Sequence, residues 1–416
     1  MQRRIIKLSV LITAFFVLWG SLSVQAAQKL VFGFKGISGE LTIVEELVAE
    51  FEELYPDVDV EIVSLVATGD WWEKLALMFA TGTAPDVTVM EYQRSIPFVA
   101  QGALLPLDDL IANDPSFNLE DFFPSAIEAH TYQGKIYGIP KEIQPFTLFV
   151  NTDMLDNAGL PFPGEDWDIY ELRNTARRLT DPDRNQWGWR IEPTPTRLSP
   201  FLLSFGGQLF SDDLSTSLVN SPEIVQGLEF IIESMDYGAL PPWSTMSQAN
   251  FTHGNTAFYL GGPWMVPDFR KLSFNWDIVA VPKGPGAHVT TLGCDAYQIT
   301  SQSKNPELAW EFVKFMTSAE AQARMAAQGS IVPARRELVF SPEFQNPTDR
   351  PFNIEGYNIG LQIARPSQTS PIWEDFSDLF IQYVQVALSR EISAQEAMDQ
   401  LAAITNELLA WQAMLF

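Results

Sequence analysis

The stretch KLVFGFKGISGELTIVEELVAEFEELYPDVDVEIV, Lys29 to Val63, changes its hydrophobic period twice. Its opening, KLVFGFKG, is an apolar run that reads as a buried strand. Leu41, Val44, Leu47, Val48, Phe51 and Leu54 then recur at helical spacing until Pro56 stops them. DVDVEIV follows with strict alternation of acidic and apolar residues, the period of a strand. A strand, a helix and a strand in that order predict a crossover unit, and PDVTVM (Pro85 to Met90) supplies a further strand after another helical stretch. The amino-terminal region is therefore expected to be α/β with a largely parallel sheet.

Helix starts recur along the rest of the chain. Asn305-Pro306 precedes ELAWEFVKFM, Thr317 stands three residues before Glu320, Ser221-Pro222 precedes EIVQGLEFIIESM, and Ser393 precedes Glu396. In the last helix Ala397, Leu401, Ile404, Leu408 and Trp411 are expected on one face. YGIPKEIQPFTLFVN (Tyr137 to Asn151) and WDIVAVPKGPG (Trp276 to Gly286) each join an apolar strand to a proline-bearing irregular segment. Both read as crossings between domains, of the kind that serve as hinges. There is no internal repeat and no low-complexity tract.

At the amino terminus Arg3, Arg4 and Lys7 precede the apolar LSVLITAFFVLWG and the small-residue SLSVQAA. This is the pattern of a cleaved secretory signal peptide, with Val24 and Ala26 placed for cleavage before Ala27. The apolar run is shorter than the ~20 residues of a spanning helix. The single cysteine, Cys294, excludes an internal disulfide, and Ala27 rather than a cysteine follows the cleavage site, so a released protein and not a lipoprotein is expected. Removing the leader deepens the formal charge from -26 to about -29 and leaves 390 residues, enough for two domains. Such acidity argues against a nucleic-acid partner.

Catalytic patterns are scarce. His130, His253 and His288 have no companion at metal-ligand spacing, and HExxH, paired CxxC, GxSxG and GxxxxGK[ST] are all missing from the sequence. No metal, cofactor or catalytic residue is expected. Any two carboxylates of the 52 acidic residues could pair in a cleft, so a glycosidase pair carries no information. The aromatics say more. Trp71 and Trp72 open a helix, Trp187 and Trp189 stand in NQWGWR, Trp264 ends GGPW and Trp373 lies in SPIWEDF. Sugar rings stack on indoles while their hydroxyls need planar polar partners, although each tryptophan taken alone suits a core equally well.

Five segments in order carry a family resemblance: KLALMFATGTAPDVTVMEYQRSIPFVAQGALLPL, KIYGIPKEIQPFTLFVNTDML, FTHGNTAFYLGGPW, NPELAWEFVKFMTSAEAQARMAAQG and the Trp373 segment before the terminal helix. Together they resemble the extracellular solute-binding proteins of ABC importers, of the maltose-binding type. The resemblance implies a two-lobed periplasmic-binding-protein fold (type II) with ligand in the cleft between hinged lobes. It places the signal peptide at 1–26, the first lobe at 27–142 and 283–336, and the second at 143–282 and 337–416. It also implies a periplasmic or otherwise extracytoplasmic monomer that delivers a small-molecule sugar to membrane permease subunits. As candidate ligand contacts it marks Glu91, Gln93 and Arg94, Glu142 with Gln144, Trp264 and Trp373, with Trp71, Trp72 and Asp295 beside them. Where maltose binders carry an acidic residue before the arginine this chain has Gln93, so maltose itself is not implied. An enzyme or a ligand-sensing module on the same scaffold, and a polyol or glycerol phosphodiester ligand, stay open as alternatives.

Overall fold

The computed structural model describes residues 27–36, 38–64 and 71–415. The leader lies outside the described residues. Strand β1 (Gln28–Phe34) runs into the helix Ser38–Leu54 and back through β2 (Val58–Ser64), which pairs parallel to β1 with Leu30 opposite Val60. After the helix Trp71–Thr81, β3 (Val87–Glu91) joins the other side of β1, again parallel. The helix Tyr92–Ala100 follows without a loop, and a small hairpin, β4 (Thr131–Tyr132) and β5 (Lys135–Ile136), leads to β6 (Ile139–Pro140).

There the chain leaves this sheet. β7 (Gln144–Pro145) belongs to another sheet, and β8 (Thr147–Asn151), fully buried, starts a third with β9 (Trp187–Arg190), β10 (Thr256–Gly261) and β11 (Trp276–Ala280), in the order β11-β8-β10-β9. The return is made by β12 (Thr290–Gly293) into β13 (Asp295–Ile299), which completes the first sheet as β2-β1-β3-β13-β6. The second passage thus lies later than the predicted Trp276 to Gly286, because the apolar Trp276–Ala280 run is held in the second sheet by β8. A short strand, β14 (Ala364–Arg365), pairs with β12, so β14-β12-β7 form a three-stranded sheet between the larger two.

Each large sheet has its own core. Around the first, Phe32, Phe51, Phe312 and Tyr297 are fully sealed, and Phe32 meets Phe312 edge-on at 5.0 Å. Around the second pack Leu148, Val150, Trp189 and Phe258, together with Phe376, Phe380 and Leu401 from the last two helices. A third cluster spans the passage, bringing Ile143, Leu292 and Cys294 against Phe149 and Trp276. Burial of this kind stabilises by about 25 cal/mol per Å² of apolar surface. Among the described residues no helix is long and apolar enough to cross a membrane.

Two local expectations shift. Thr317 does not start a helix but ends one: it is the C-cap of the helix Pro306–Met316, and its hydroxyl donates back to the Val313 carbonyl at 2.8 Å. Ser318 takes the cap, its Oγ accepting from the Ala321 amide. In the terminal helix Ala394–Leu415 the sealed stripe is Ala397, Met398, Leu401, Ala402, Thr405 and Leu409, while Ile404 and Leu408 are half-buried and Trp411 is exposed. The stripe steps by four through Thr405, which an apolar template passes over.

Candidate functional site

The carboxyl ends of β1 and β3 are where an open α/β sheet offers a crevice. Lys35 leaves the end of β1 and Glu91 is the last residue of β3, and the two side chains form an ion pair. They border a cavity of about 480 Å³ between the two large sheets, within the range of small-molecule sites. Eight of the ten candidates line it: Glu91, Gln93, Arg94, Glu142, Gln144, Trp264, Asp295 and Trp373. Larger concavities, about 920 Å³ beside Pro161–Trp167 and about 720 Å³ against Tyr92 and Ile96, bring together none of them.

Adjacent tryptophans on one helix must diverge, since neighbouring helical positions face about a hundred degrees apart. Trp71 turns inward, packed with Leu75, Met90, Val99 and Leu104, and its ring lies so close over Gly33 that a Cβ there would sit 3.0 Å from it. Its Nε1 meets no acceptor among the described residues. Trp72 stays half-buried, with Lys35 Nζ 5.0 Å and Arg94 Cζ 5.6 Å from its ring, so it orients two cations that line the cavity rather than lining it itself.

The first-sheet wall is charged. Lys141, between β6 and β7, is buried and donates to Glu40 Oε2 at 3.0 Å; the Ser330 hydroxyl reaches the other Glu40 oxygen. Glu142 Oε2 lies 2.9 Å from the same ammonium, but off the hydrogen-bonding direction, so this solvent-sealed oxygen accepts no hydrogen bond among the described residues. Asp295 opens β13 directly opposite Glu91 in register. Burial raises Glu142 to about 8, with Asp295 and Glu40 adding to the shift and Lys141 opposing it. Burial raises Asp295 as well, against the pull of Lys35. Glu91 goes the other way: burial opposes ionisation, yet the charge and hydrogen bond of Lys35 hold it below the usual range. Lys35 and Lys141 are held charged by these carboxylates despite their burial.

The opposite wall is aromatic. Gly261, Gly262 and Pro263 end β10 in a tight turn, and the Trp264 indole folds back over Gly262, where a Cβ would lie 1.9 Å from the ring. Phe146 meets the indole edge-on at 5.2 Å, and the Arg197 guanidinium lies 5.7 Å from it and 5.2 Å from Phe146. Trp373 contributes little exposed surface. It opens the helix Trp373–Leu388 at 5% exposure and packs on Phe376. At the next residue, Glu374 pairs with Arg94, tying the helix after β3 to this one.

Gln144 on β7 pairs with Gly293 on β12, so the strands that pass between the sheets reach the cavity floor. Beside them Cys294 is buried, its thiol donating to the Glu142 carbonyl at 3.0 Å and pushed well above its usual range by burial. Sequence reasoning missed Lys35, Glu40, Lys141, Phe146, Thr194, Thr196, Arg197 and Ser377 as lining residues. Lys141 carried a readable signal: a lysine and a glutamate adjacent inside an apolar strand-like run. Arg197, near the start of the helix Pro195–Leu203, carried none, because its place depends on the packing of that helix beside β12. No group of three or more metal-ligating side chains occurs among the described residues.

The family described as bacterial extracellular solute-binding protein matches residues 46–351. A maltotriose-binding protein of Pyrococcus abyssi is 24% identical over 339 residues, 80% of this chain and 71% of its own length. A galactooligosaccharide-binding protein of Bacillus subtilis is 24% identical over 377 residues, 86% and 85% of the two chains. Among solved structures, the ABC substrate-binding protein Lmo0181 of Listeria monocytogenes in complex with cycloalternan superposes with a TM-score of 0.84 at 24% identity, covering 92% of this chain and 99% of that one. The sugar-binding protein MalE of Xanthomonas citri gives 0.80 at 22% identity, over 94% and 99%. These two likenesses establish the α/β periplasmic-binding-protein fold.

Proposed function

The chain belongs to the bacterial extracellular solute-binding protein family, a family of receptors rather than enzymes, and from that premise we propose that it is the sugar receptor of an ABC importer. It takes a mono- or oligosaccharide in the cavity between the two sheets and hands it, chemically unchanged, to membrane permease subunits. The observation that carries this reading is the pairing of walls: Trp264 and Phe146 offer ring faces and edges to a pyranose, while Glu91, Gln93, Arg94, Glu142, Gln144 and Asp295 face them with planar polar groups. Relatives named for maltotriose and galactooligosaccharide binding support the ligand class. On the same reading residues 27–142 and 283–336 form one lobe and 143–282 and 337–416 the other, the leader is cleaved before Ala27, and the protein is released without a lipid anchor.

Mass spectrometry of the molecule that co-purifies with the protein, followed by calorimetric titration of that molecule, tests the reading. A saccharide bound stoichiometrically and recovered intact is expected. A co-purified amino acid, peptide or metal complex, or turnover of the saccharide, refutes it.

A further inference from the structure

The cavity floor holds more negative charge than its cations neutralise. Of the cations that line it, Lys35 is committed to Glu91, Lys141 is shared between Glu40 and Glu142, Arg94 to Glu374, and Arg197 donates to the Leu260 carbonyl and lies 3.6 Å from Glu192. Asp295 is left with no ion pair and no side-chain hydrogen bond among the described residues, and Glu142, 2% exposed, keeps the orphan Oε2 described above. Asp295 is half-buried at the cavity and unpaired, and Glu142 has only the Lys141 ammonium that it shares with Glu40, so a proton or a further cation relieves the excess charge. Neutral hydroxyls satisfy hydrogen bonds there but not the charge.

We propose that this site takes a saccharide bearing a protonated amine, whose ammonium settles between Glu142 and Asp295 on the cavity floor. The inference rests on the sugar reading above and narrows it. Four groups set the field that the ammonium meets: the Lys35 and Lys141 ammonium groups oppose it, while Glu91 and Glu40 favour it. The raised Glu142 carboxyl holds a proton near neutral pH. That proton is the placeholder, and it passes to solvent when the ammonium arrives.

Calorimetry on the full chain near pH 7, with maltotriose, cellotriose and galactotriose each as the neutral sugar and as mono-amino-deoxy derivatives, tests this. At least one derivative should bind about tenfold tighter than its parent or better, with proton release visible as a dependence of the heat on buffer ionisation enthalpy. Glu142→Gln and Asp295→Asn, close in shape to the native residues, should each erase most of the preference, read as the ratio of derivative to parent affinity within the same variant. If parents bind and every derivative binds no better, or if the preference survives both substitutions, the inference falls and the sugar reading stands. If sugars of neither kind bind, both fall.

Discussion

Replacing Trp264 by alanine separates a stacking platform from a core residue. The indole is half-buried, set edge-on to Phe146 at 5.2 Å and laid over Gly262. Truncating a fully buried aromatic costs about 3 to 5 kcal/mol, of which an aromatic pair supplies about 0.5 to 1.5 kcal/mol. Because the indole is half-buried and lines the cavity, Trp264→Ala should cost only about 1 to 2 kcal/mol of apo stability, the pair with Phe146 being its main loss. Binding should suffer more. Removing the flat contact from a pre-formed site should cost at least ~2 kcal/mol, the scale of a hot spot, which is about thirtyfold in Kd. Denaturant unfolding without ligand and calorimetry with the co-purified ligand measure the two quantities. Trp373→Ala is the internal contrast: at 5% exposure and packed on Phe376 it should lose about 3 to 5 kcal/mol of stability. Unchanged affinity in folded Trp264→Ala, with a core-sized stability loss, would refute the stacking role.

Gly262 has φ of -133°, so alanine there meets no backbone strain, but its Cβ would collide with the indole; Gly262→Ala should displace Trp264, weaken binding about tenfold or more and alter the near-ultraviolet circular dichroism. Glu142 and Asp295 are raised in the folded state, so the stability they contribute is full below their unfolded values and is lost as pH rises through the folded ones, for Glu142 about 8. Unfolding free energy should therefore decline from near pH 5 to pH 8 by denaturant titration, and Glu142→Gln should flatten that decline; an unchanged slope would count against the buried acid. Saturating ligand should lower the radius of gyration in small-angle scattering at constant far-ultraviolet circular dichroism, and a superimposable profile would argue against closure.

The amino-terminal crossover unit was legible because Phe32, Val44, Phe51 and Val60 keep the periods of their elements and all end up in one core. The passage strands were harder. β7 and β14 are two residues each and are defined by pairing to β12, a partner remote in sequence, not by any period of their own. Glu91, Gln93 and Arg94 were marked by the family resemblance of the VTVMEYQR segment, and the structure puts them at the end of β3 and the start of the helix that follows it. Trp71 and Trp72 could not be told apart, since only the packing of their helix decides which indole meets Leu75 and Met90. Lys35 escaped notice as a single charge after a strand, and its meaning appears only when β3 brings Glu91 beside it.

The small sheet β14-β12-β7 has a mechanical corollary. When one body turns against another about three crossing strands, points near the axis travel least and points far from it travel most. Glu142, Gln144 and Asp295 sit on or beside those strands, so in such a closure they would keep their positions. Trp264, just past the end of β10 in the far sheet, would be carried in by such a turn. Capture and retention then belong to different residues: substitutions near the fulcrum should slow association, and those on the swinging wall should shorten residence with association nearly untouched. Stopped-flow binding of Gln144→Ala beside Trp264→Ala reads that division directly.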